Sequence, residues 1–244
     1  MSPRRTLATT VRVLKQLGHD RRTLALLFVM PCVLMGLLAW IFANTGNFDQ
    51  IGASLLGIFP VMMMFIVTSI ATLRERTAGT MERLLAMPIT KLDFLGGYAL
   101  AFGLVAMLQT LLVSTFAVYV YDLDVAGPLW LVIIAALAAA FMGTALGLFA
   151  SAFARTEFQA SQFMPAFFLP QLLLCGLFVP AAQLPNALEF VSYGLPLTYA
   201  VDAMQRISIE AAPSGIIWRG IAIVFGFAAV AVVLGAVTLR RSTK

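Results

Sequence analysis

Six runs of apolar residues occupy most of this sequence, and each is about long enough to cross a lipid bilayer. A hydrocarbon core about 30 Å thick needs about 20 apolar residues in a helix. The runs are 24–43, 51–73, 94–121, 129–153, 163–179 and 216–239. They raise the apolar fraction to 61% and leave 11% charged residues, whereas a soluble domain carries about 25%. The sequence therefore excludes a soluble enzyme or a disordered chain and predicts an all-α integral membrane protein forming one domain over 1–244.

The distribution of Lys and Arg gives these spans an orientation. With the N-terminus inside, 14 of the 16 Lys and Arg fall on inner segments, and only Arg206 and Arg219 fall outside. The acidic residues divide almost evenly between the two sides. Because cytoplasmic loops collect Lys and Arg specifically, we expect a multi-pass protein of the cell (inner) membrane with both termini cytoplasmic. The net charge of +5 is thus explained without a nucleic-acid partner.

Residues 2–19 have the pattern of an amphipathic helix. Their apolar residues recur at helical spacing, at Leu7, Val11, Leu14 and Leu17. A basic helix of this kind binds membrane lipids by lying in the inner headgroup layer. The alternative is a plain basic flank that only orients the first span.

The inner loop 74–93 is the most charged stretch of the chain. Thr77 or Thr80 could cap a short helix, which Pro88 would end. An apolar face formed by Met81, Leu84 and Leu85 suits docking on another protein, because so short a helix is marginal alone in water. The alternative is a solvated connector.

The segment 180–214 is too apolar for a free loop and too interrupted by proline for a span. We expect two short helices, 186–192 and 198–207, with Asp202 and Arg206 paired at a spacing of four residues. Interrupted backbone at membrane depth needs protein or water around its polar groups, which predicts a re-entrant helix pair packed on the spans. The alternative is a surface cap.

Several chemical signatures are missing from the sequence. It contains no Gly-x4-Gly-Lys-Ser/Thr phosphate loop and no His-Glu-x-x-His zinc motif. No full charge lies near the middle of the first five runs, where ion-coupled carriers place one. We therefore expect no cofactor, metal or catalytic residue in this chain, and an energy source for any transport that lies in another protein.

Two stretches of the sequence carry recognisable motifs. The first is Arg-Glu-Arg-Thr-Ala-Gly-Thr-Met-Glu at 74–82, followed by Leu84, Leu85 and Pro88. The second is Pro-Leu-Thr-Tyr at 196–199 with Gln205 and Arg206, after Cys-Gly-Leu-Phe at 175–178. Together they resemble the permease subunits of type-2 ABC exporters, a group that includes bacterial drug-resistance permeases. The chain departs from the family pattern at Thr77, where an acid is usual, and in lacking a lysine beside Gly96.

The resemblance implies a permease that pairs with a second permease subunit, as a homodimer or a heterodimer, and with two ATP-binding-cassette ATPase subunits that bind ATP and Mg. Residues 79–88 would form a coupling helix seated on an ATPase, and 2–19 a second contact. The implied coupling residues are Glu75, Arg76, Gly79, Thr80, Glu82, Arg83, Leu84, Leu85 and Pro88. The implied extracytoplasmic gate is Pro196, Tyr199, Asp202 and Arg206.

In this family the second and fifth spans would line the substrate path, which implies Met62, Met63, Phe65, Phe167 and Gln171. Methionine adapts to varied apolar shapes, and the chain has only three Trp for stacking on sugar rings. We therefore expect export of an amphipathic drug or lipid-like molecule. The alternatives are ordinary packing roles for these side chains, export of a glycan or glycolipid, a membrane enzyme acting on lipid, and a scaffold without transport.

Overall fold

The structure is a computed structural model that describes residues 2–43, 48–78 and 91–238, and within them it is all-helical. The predicted fold class is thus confirmed at this level. The α-helices, in chain order, are α1 (Pro3–His19), α2 (Arg21–Phe42), α3 (Phe48–Thr77), α4 (Lys91–Tyr119), α5 (Leu129–Ser151), α6 (Glu157–Leu174), α7 (Asn186–Tyr193), α8 (Pro196–Ile209) and α9 (Gly215–Thr238). A 3₁₀ turn, Ala181–Gln183, precedes α7.

Five of the described helices are long and apolar enough to cross a membrane. They are Arg21–Phe42, Ile51–Thr77, Gly96–Tyr119, Leu129–Ser151 and Gly215–Gly235. They correspond to five of the six predicted spans, so the chain is a multi-pass membrane protein. The sixth span and the side on which the termini lie remain predictions.

The predicted span 163–179 matches α6 only in part, because α6 runs from Glu157 to Leu174. Its start is set by the Thr156 side chain, which accepts a hydrogen bond from the Gln159 backbone N–H at 3.1 Å. Its end is followed by Gly176 at φ +90°, a conformation that glycine adopts without strain. The helix therefore begins and ends earlier than predicted. Its first residues are polar, and a search for apolar runs does not include them.

Helices α3 and α5 form the centre of the bundle. Small side chains on α5 let the two backbones approach closely, as is common between membrane helices. At Gly143 a Cβ atom would lie 2.2 Å from the Val61 carbonyl oxygen, and at Gly147 one would lie 2.5 Å from that of Phe65. Helix α9 also packs on α5, while α8 contacts α3, α5 and α9.

Helix α1 packs on α4 through small polar residues and through part of its predicted apolar face, where Leu14 and Leu17 pack in a cluster that includes Tyr98 of α4. Thr9 and Thr10 are buried there, with the Thr10 hydroxyl 3.2 Å from the Gly97 carbonyl oxygen. Of the predicted face, Leu17 is buried, whereas Leu7 and Val11 are exposed. Helix α1 lies close to Gly97 of α4. This explains why threonines are buried at this contact, because a leucine side chain would not fit there. The exposed leucine and valine are what a lipid-facing stripe requires, and that placement remains a prediction.

Two short helices occur in the segment 180–214, where the sequence predicted 186–192 and 198–207. They are α7, which is one residue longer than predicted at its C-terminal end, and α8, which is two residues longer at each end. Pro196 takes the first position of α8, which proline favours. The Gln205 side-chain amide donates to the Gly176 carbonyl oxygen at 3.1 Å, so α8 is attached to the turn that ends α6.

Candidate functional site

The residues predicted to contact an ATPase begin at the last turn of α3. Helix α3 extends to Thr77, past the predicted span end at residue 73, and therefore carries Glu75 and Arg76. The rest of the predicted set lies outside the described residues: Gly79, Thr80, Glu82, Arg83, Leu84, Leu85 and Pro88. The structure thus describes the helix end that leads into the predicted coupling helix.

Glu75 connects this helix end to α1. Its carboxylate accepts two hydrogen bonds from the Arg12 guanidinium, at 2.8 and 3.2 Å. Arg12 also donates to the Tyr98 hydroxyl of α4 at 3.1 Å. Because Glu75 is buried and the ion pair is bidentate, this contact is of the strong kind. It joins α1, α3 and α4.

Arg76 connects the same turn to the segment after α5. Its guanidinium donates to the carbonyl oxygen of Ala152 at 2.7 Å and to that of Ala154. Carbonyl groups at the end of a helix carry partial negative charge and lack partners within the helix, so a guanidinium suits them well.

Arg74 connects the turn to two further elements. It donates to the Glu157 carboxylate at 2.7 and 2.9 Å and to the Asp20 carboxylate at 3.3 Å. Asp20 caps α2 by accepting from the Thr23 backbone N–H at 3.2 Å, and Glu157 begins α6. Three consecutive side chains of α3 therefore bind α1, α2, α6 and the segment after α5. We call Arg74, Glu75, Arg76 and these partners the α3 junction.

The hydrogen bonds at Arg74 stabilise the ionised forms of both carboxylates. The Thr23 hydroxyl is the largest cause of the lowered pKa of Asp20, with the Thr23 backbone and Arg74 adding to it. The Arg74 guanidinium is the largest cause of the lowered pKa of Glu157. A carboxyl whose pKa is lowered on folding contributes stability that is present above its ordinary pKa and is lost as the pH falls through the folded value.

We expect Arg74→Gln to lower the melting temperature in detergent at pH 7, and the difference from wild type to shrink below about pH 4, where carboxyl groups become protonated. Thermal unfolding at pH values between 7 and 3 measures this. Arg22→Gln, at an exposed position near the start of α2, is the matched control. A melting-temperature difference for Arg74→Gln that stays constant down to pH 3 would contradict the expectation.

The junction partners were not predicted as site residues. Arg12, Asp20 and Glu157 lie 54 to 83 positions from their partners in the chain. The only sequence signal for these partners was that each is a charged residue on a predicted inner segment. Spacing rules concern residues on the same helix and so did not reveal these pairs.

The residues predicted to line a substrate path do not share one cavity. Phe65 and Phe167 line a cavity of about 520 Å³ between α3, α5 and α6, which we call the aromatic cavity because phenylalanines form much of its wall. The Phe65 and Phe168 rings pack edge to face with centroids 5.3 Å apart. Met62 packs against the main core, whereas Met63 lines a separate cavity between α1, α2 and α3. The five predicted residues are therefore not brought together.

Gln171, also predicted on this path, is buried and bonded at both ends of its amide. Its Nε2 donates to the Phe167 carbonyl oxygen at 3.2 Å, and its Oε1 accepts from the Leu197 backbone N–H at 3.4 Å. Gln171 therefore connects α6 to the beginning of α8.

The predicted gate residues all lie on α8. The Tyr199 hydroxyl donates to the Tyr193 carbonyl oxygen at 2.8 Å, which holds α8 against α7. Arg206 pairs with Asp202 at 3.0 Å and with Glu210 at 3.4 Å. Pro196 is buried at the start of the helix. A gating role for this set remains a prediction.

In the part of the chain that the structure describes, no group of three or more His, Cys, Asp and Glu side chains is arranged to hold a metal ion. The polar groups that do cluster are those of the α3 junction, where each acid is matched by a guanidinium. This arrangement holds the helices in place.

Comparison with known proteins agrees with this architecture. The chain is 27% identical over 168 residues to "Probable multidrug ABC transporter permease YbhR" of Escherichia coli (strain K12), covering 69% of this chain and 46% of that protein. It is 28% identical over 158 residues to "Inner membrane transport permease YhhJ" of the same organism, covering 64% and 42%. It is also 28% identical over 144 residues to "ABC transporter G family member 20" of Dictyostelium discoideum, covering 59% and 20%.

The matched region thus spans less than half the length of these relatives. The family model for the ABC-2 type transporter matches residues 4–208. This match includes α1 to α7 and nearly all of α8, and it confirms the resemblance that the motifs at 74–88 and 175–206 indicated. Since it covers well over half of the sequence, the chain belongs to the ABC-2 type transporter family.

Proposed function

We propose that this chain is the transmembrane subunit of an ATP-driven exporter that moves an amphipathic drug or lipid-like molecule outward across the cell membrane. Separate ATP-binding-cassette ATPase subunits bind ATP and Mg and dock on the inner side. A second permease subunit completes the transport unit. The chain itself is a permease and not an enzyme.

The observation that carries the proposal is the α3 junction. Residues 79–88, the proposed coupling helix, follow directly on a helix end whose last charged side chains hold α1, α2, α6 and the segment after α5. Packed helices move as discrete bodies rather than deforming continuously. A displacement of the coupling helix would therefore be passed to several helices at once.

The aromatic cavity supports the proposed substrate class. Its walls are almost entirely apolar, and its volume of about 520 Å³ lies within the range of small-molecule sites, about 300–1,000 Å³. Phe167 is partly exposed beside it. The relative YbhR is named as a probable multidrug permease, which agrees with a loosely specified apolar cargo.

We expect Glu82→Lys to uncouple ATP hydrolysis from transport while the protein still inserts in the membrane. Reversing the charge of a side chain at an electrostatically complementary interface places like charges together and weakens the contact. The measurement is outward transport of a fluorescent lipophilic cation by inverted membrane vesicles, together with ATPase activity of the same vesicles. Transport should fall at least about tenfold, since like-charge juxtaposition costs several kcal/mol.

Glu189→Lys is the matched control, because it makes the same charge reversal on α7, far along the chain and on a predicted external segment. Its transport should stay near that of wild type. Normal transport by Glu82→Lys would contradict the assignment of residues 79–88 as the coupling helix.

A further inference from the structure

Helix α2 contains a proline, Pro31, close to its middle. Proline has no backbone N–H, so the Leu27 carbonyl oxygen, one turn earlier, lacks the donor that an α-helix supplies. Within a bilayer, a carbonyl freed in this way is satisfied by a neighbouring helix, a polar side chain or water. Because Leu27 and Pro31 are both buried, a partner from another helix is expected.

Gln109 of α4 supplies the missing hydrogen bond. Its Nε2 donates to the Leu27 carbonyl oxygen at 3.3 Å, and its side chain is fully buried. The other end of the amide, Oε1, has no hydrogen-bond partner among the described residues. The buried amide of Gln109 therefore acts as the donor to the carbonyl that Pro31 leaves free, and it joins α2 to α4.

Pro31 also lies where α2 passes from one hydrophobic cluster to another. Leu27, in the N-terminal half of α2, belongs to a cluster formed with α1 and α4. Cys32 and Met35, in the C-terminal half, belong to the main core. Sharp bends in helices occur at proline, and here a change of angle at Pro31 can move one half of α2 without unpacking the other.

The two halves of α2 are attached to different elements. Asp20, which caps the N-terminal half, pairs with Arg74 of the α3 junction. In the C-terminal half, the Cys32 carbonyl oxygen accepts a hydrogen bond at 3.1 Å from the hydroxyl of Tyr121, which follows α4. Packing restrains α2 least, because its buried share of 22% is the smallest among the five membrane-length helices.

We propose that α2 pivots at Pro31 during transport, and that Gln109 is the positioning residue that holds the N-terminal half of α2 against α4. Movement of the α3 junction reaches this half through Asp20, while Tyr121 keeps the C-terminal half in place. Hinges of this kind are a few residues that absorb a change in backbone angle. The pivot rests on the proposed transport function, whereas the hydrogen bond supplied by Gln109 does not and is tested separately.

A double-mutant cycle in lipid nanodiscs tests whether Gln109 replaces the bond that Pro31 removes. Gln109→Leu leaves the Leu27 carbonyl without a donor, and we expect it to lower the melting temperature by at least about 2 °C. Pro31→Ala restores a backbone N–H at position 31. In the Pro31→Ala background, the Gln109→Leu change should therefore lower the melting temperature less than half as much.

Gln205→Leu is the matched control for this cycle. It removes a similar bond, from the Gln205 amide to the Gly176 carbonyl oxygen at 3.1 Å, where no proline is involved. Its effect should be the same with and without Pro31→Ala, because distant sites are additive. A Gln109→Leu effect that is absent, or that is equal in both backgrounds, would overturn the role assigned to Gln109.

Two variants at position 31 test the pivot. Pro31→Ala and Pro31→Gly both restore the N–H, but alanine favours a continuous helix, whereas glycine keeps the backbone flexible. In inverted vesicles that contain the ATPase subunits, we expect Pro31→Ala to transport at least about threefold more slowly than wild type, and Pro31→Gly to stay within about twofold of it. Melting temperatures should follow the opposite order, with Pro31→Ala above Pro31→Gly.

The opposite orders of transport and stability separate a pivot from a packing role. Transport that follows the melting temperature, and is therefore faster in Pro31→Ala than in Pro31→Gly, would overturn the pivot. If the wild type shows no ATP-driven transport, the proposed function fails and the pivot fails with it. The melting temperatures of the Gln109 cycle still decide in that case whether Gln109 supplies the bond that Pro31 removes.

Discussion

Gly143→Ala is expected to leave little folded protein. The added Cβ would lie 2.2 Å from the Val61 carbonyl oxygen and 2.8 Å from its carbonyl carbon and Cα. These are backbone atoms of the central helix α3, so no side-chain rotation relieves the contact. Overpacking a core costs about 1–3 kcal/mol and occasionally more, and here we expect a value at or above the upper end.

Gly226→Ala is the matched control for this prediction. It lies on α9 with no atom within 4 Å of the added Cβ, and alanine is the better helix former by about 1 kcal/mol. This variant should be as stable as wild type or slightly more so. The measurement is the monodisperse yield and melting temperature of both variants in detergent. Normal yield and melting temperature for Gly143→Ala would show that α3 and α5 are not packed as described.

Breaking the ion pair between Arg12 and Glu75 is expected to have the second largest effect. Removing one partner of a buried pair costs about 3–5 kcal/mol. Because the Arg12 side chain is partly exposed at 28%, we expect about 1–3 kcal/mol for Glu75→Gln after allowing for solvent screening. The same change should reduce transport, since it removes the ion pair that joins α1 to the end of α3.

A double-mutant cycle with Arg12→Gln, Glu75→Gln and the double variant isolates the pair. We expect an interaction energy of at least about 1 kcal/mol, because the two groups share one hydrogen-bonded network. The control cycle is Arg206→Gln with Glu210→Gln, an i,i+4 pair at 3.4 Å, which should give about 0.3–0.5 kcal/mol. Additive effects of the Arg12 and Glu75 variants would contradict the junction.

The hydropathy of the sequence was enough to predict the five membrane-length helices of the structure. Long apolar runs leave the backbone no alternative in a bilayer, because each N–H and C=O must be satisfied within the segment. The bounds of α6 were not predictable in this way. Its start depends on the capping hydroxyl of Thr156 and its end precedes Gly176, and neither feature changes the apolar content of the run.

Only the part of the candidate site that lies within one segment of the sequence was predictable. The charged residues 74–76 stood out, but their partners on α1, α2 and α6 did not, because these contacts depend on how helices pack. The packing face of α1 shows the same limit. The leucine and valine stripe was visible in the sequence, whereas burial of Thr9 and Thr10 followed from close contact with Gly97, a residue on another helix.

The most direct test of the central claim is to purify the protein in lipid nanodiscs with its co-purifying partners and to measure ATP hydrolysis with lipophilic cations, lipids and glycans. We predict that an ATPase subunit co-purifies and that lipophilic cations or lipids change its rate of hydrolysis. Loss of the ATPase in the Glu82→Lys variant would place the contact at residues 79–88. If no ATPase associates under any condition, or if only glycans alter hydrolysis, the proposed exporter function is contradicted.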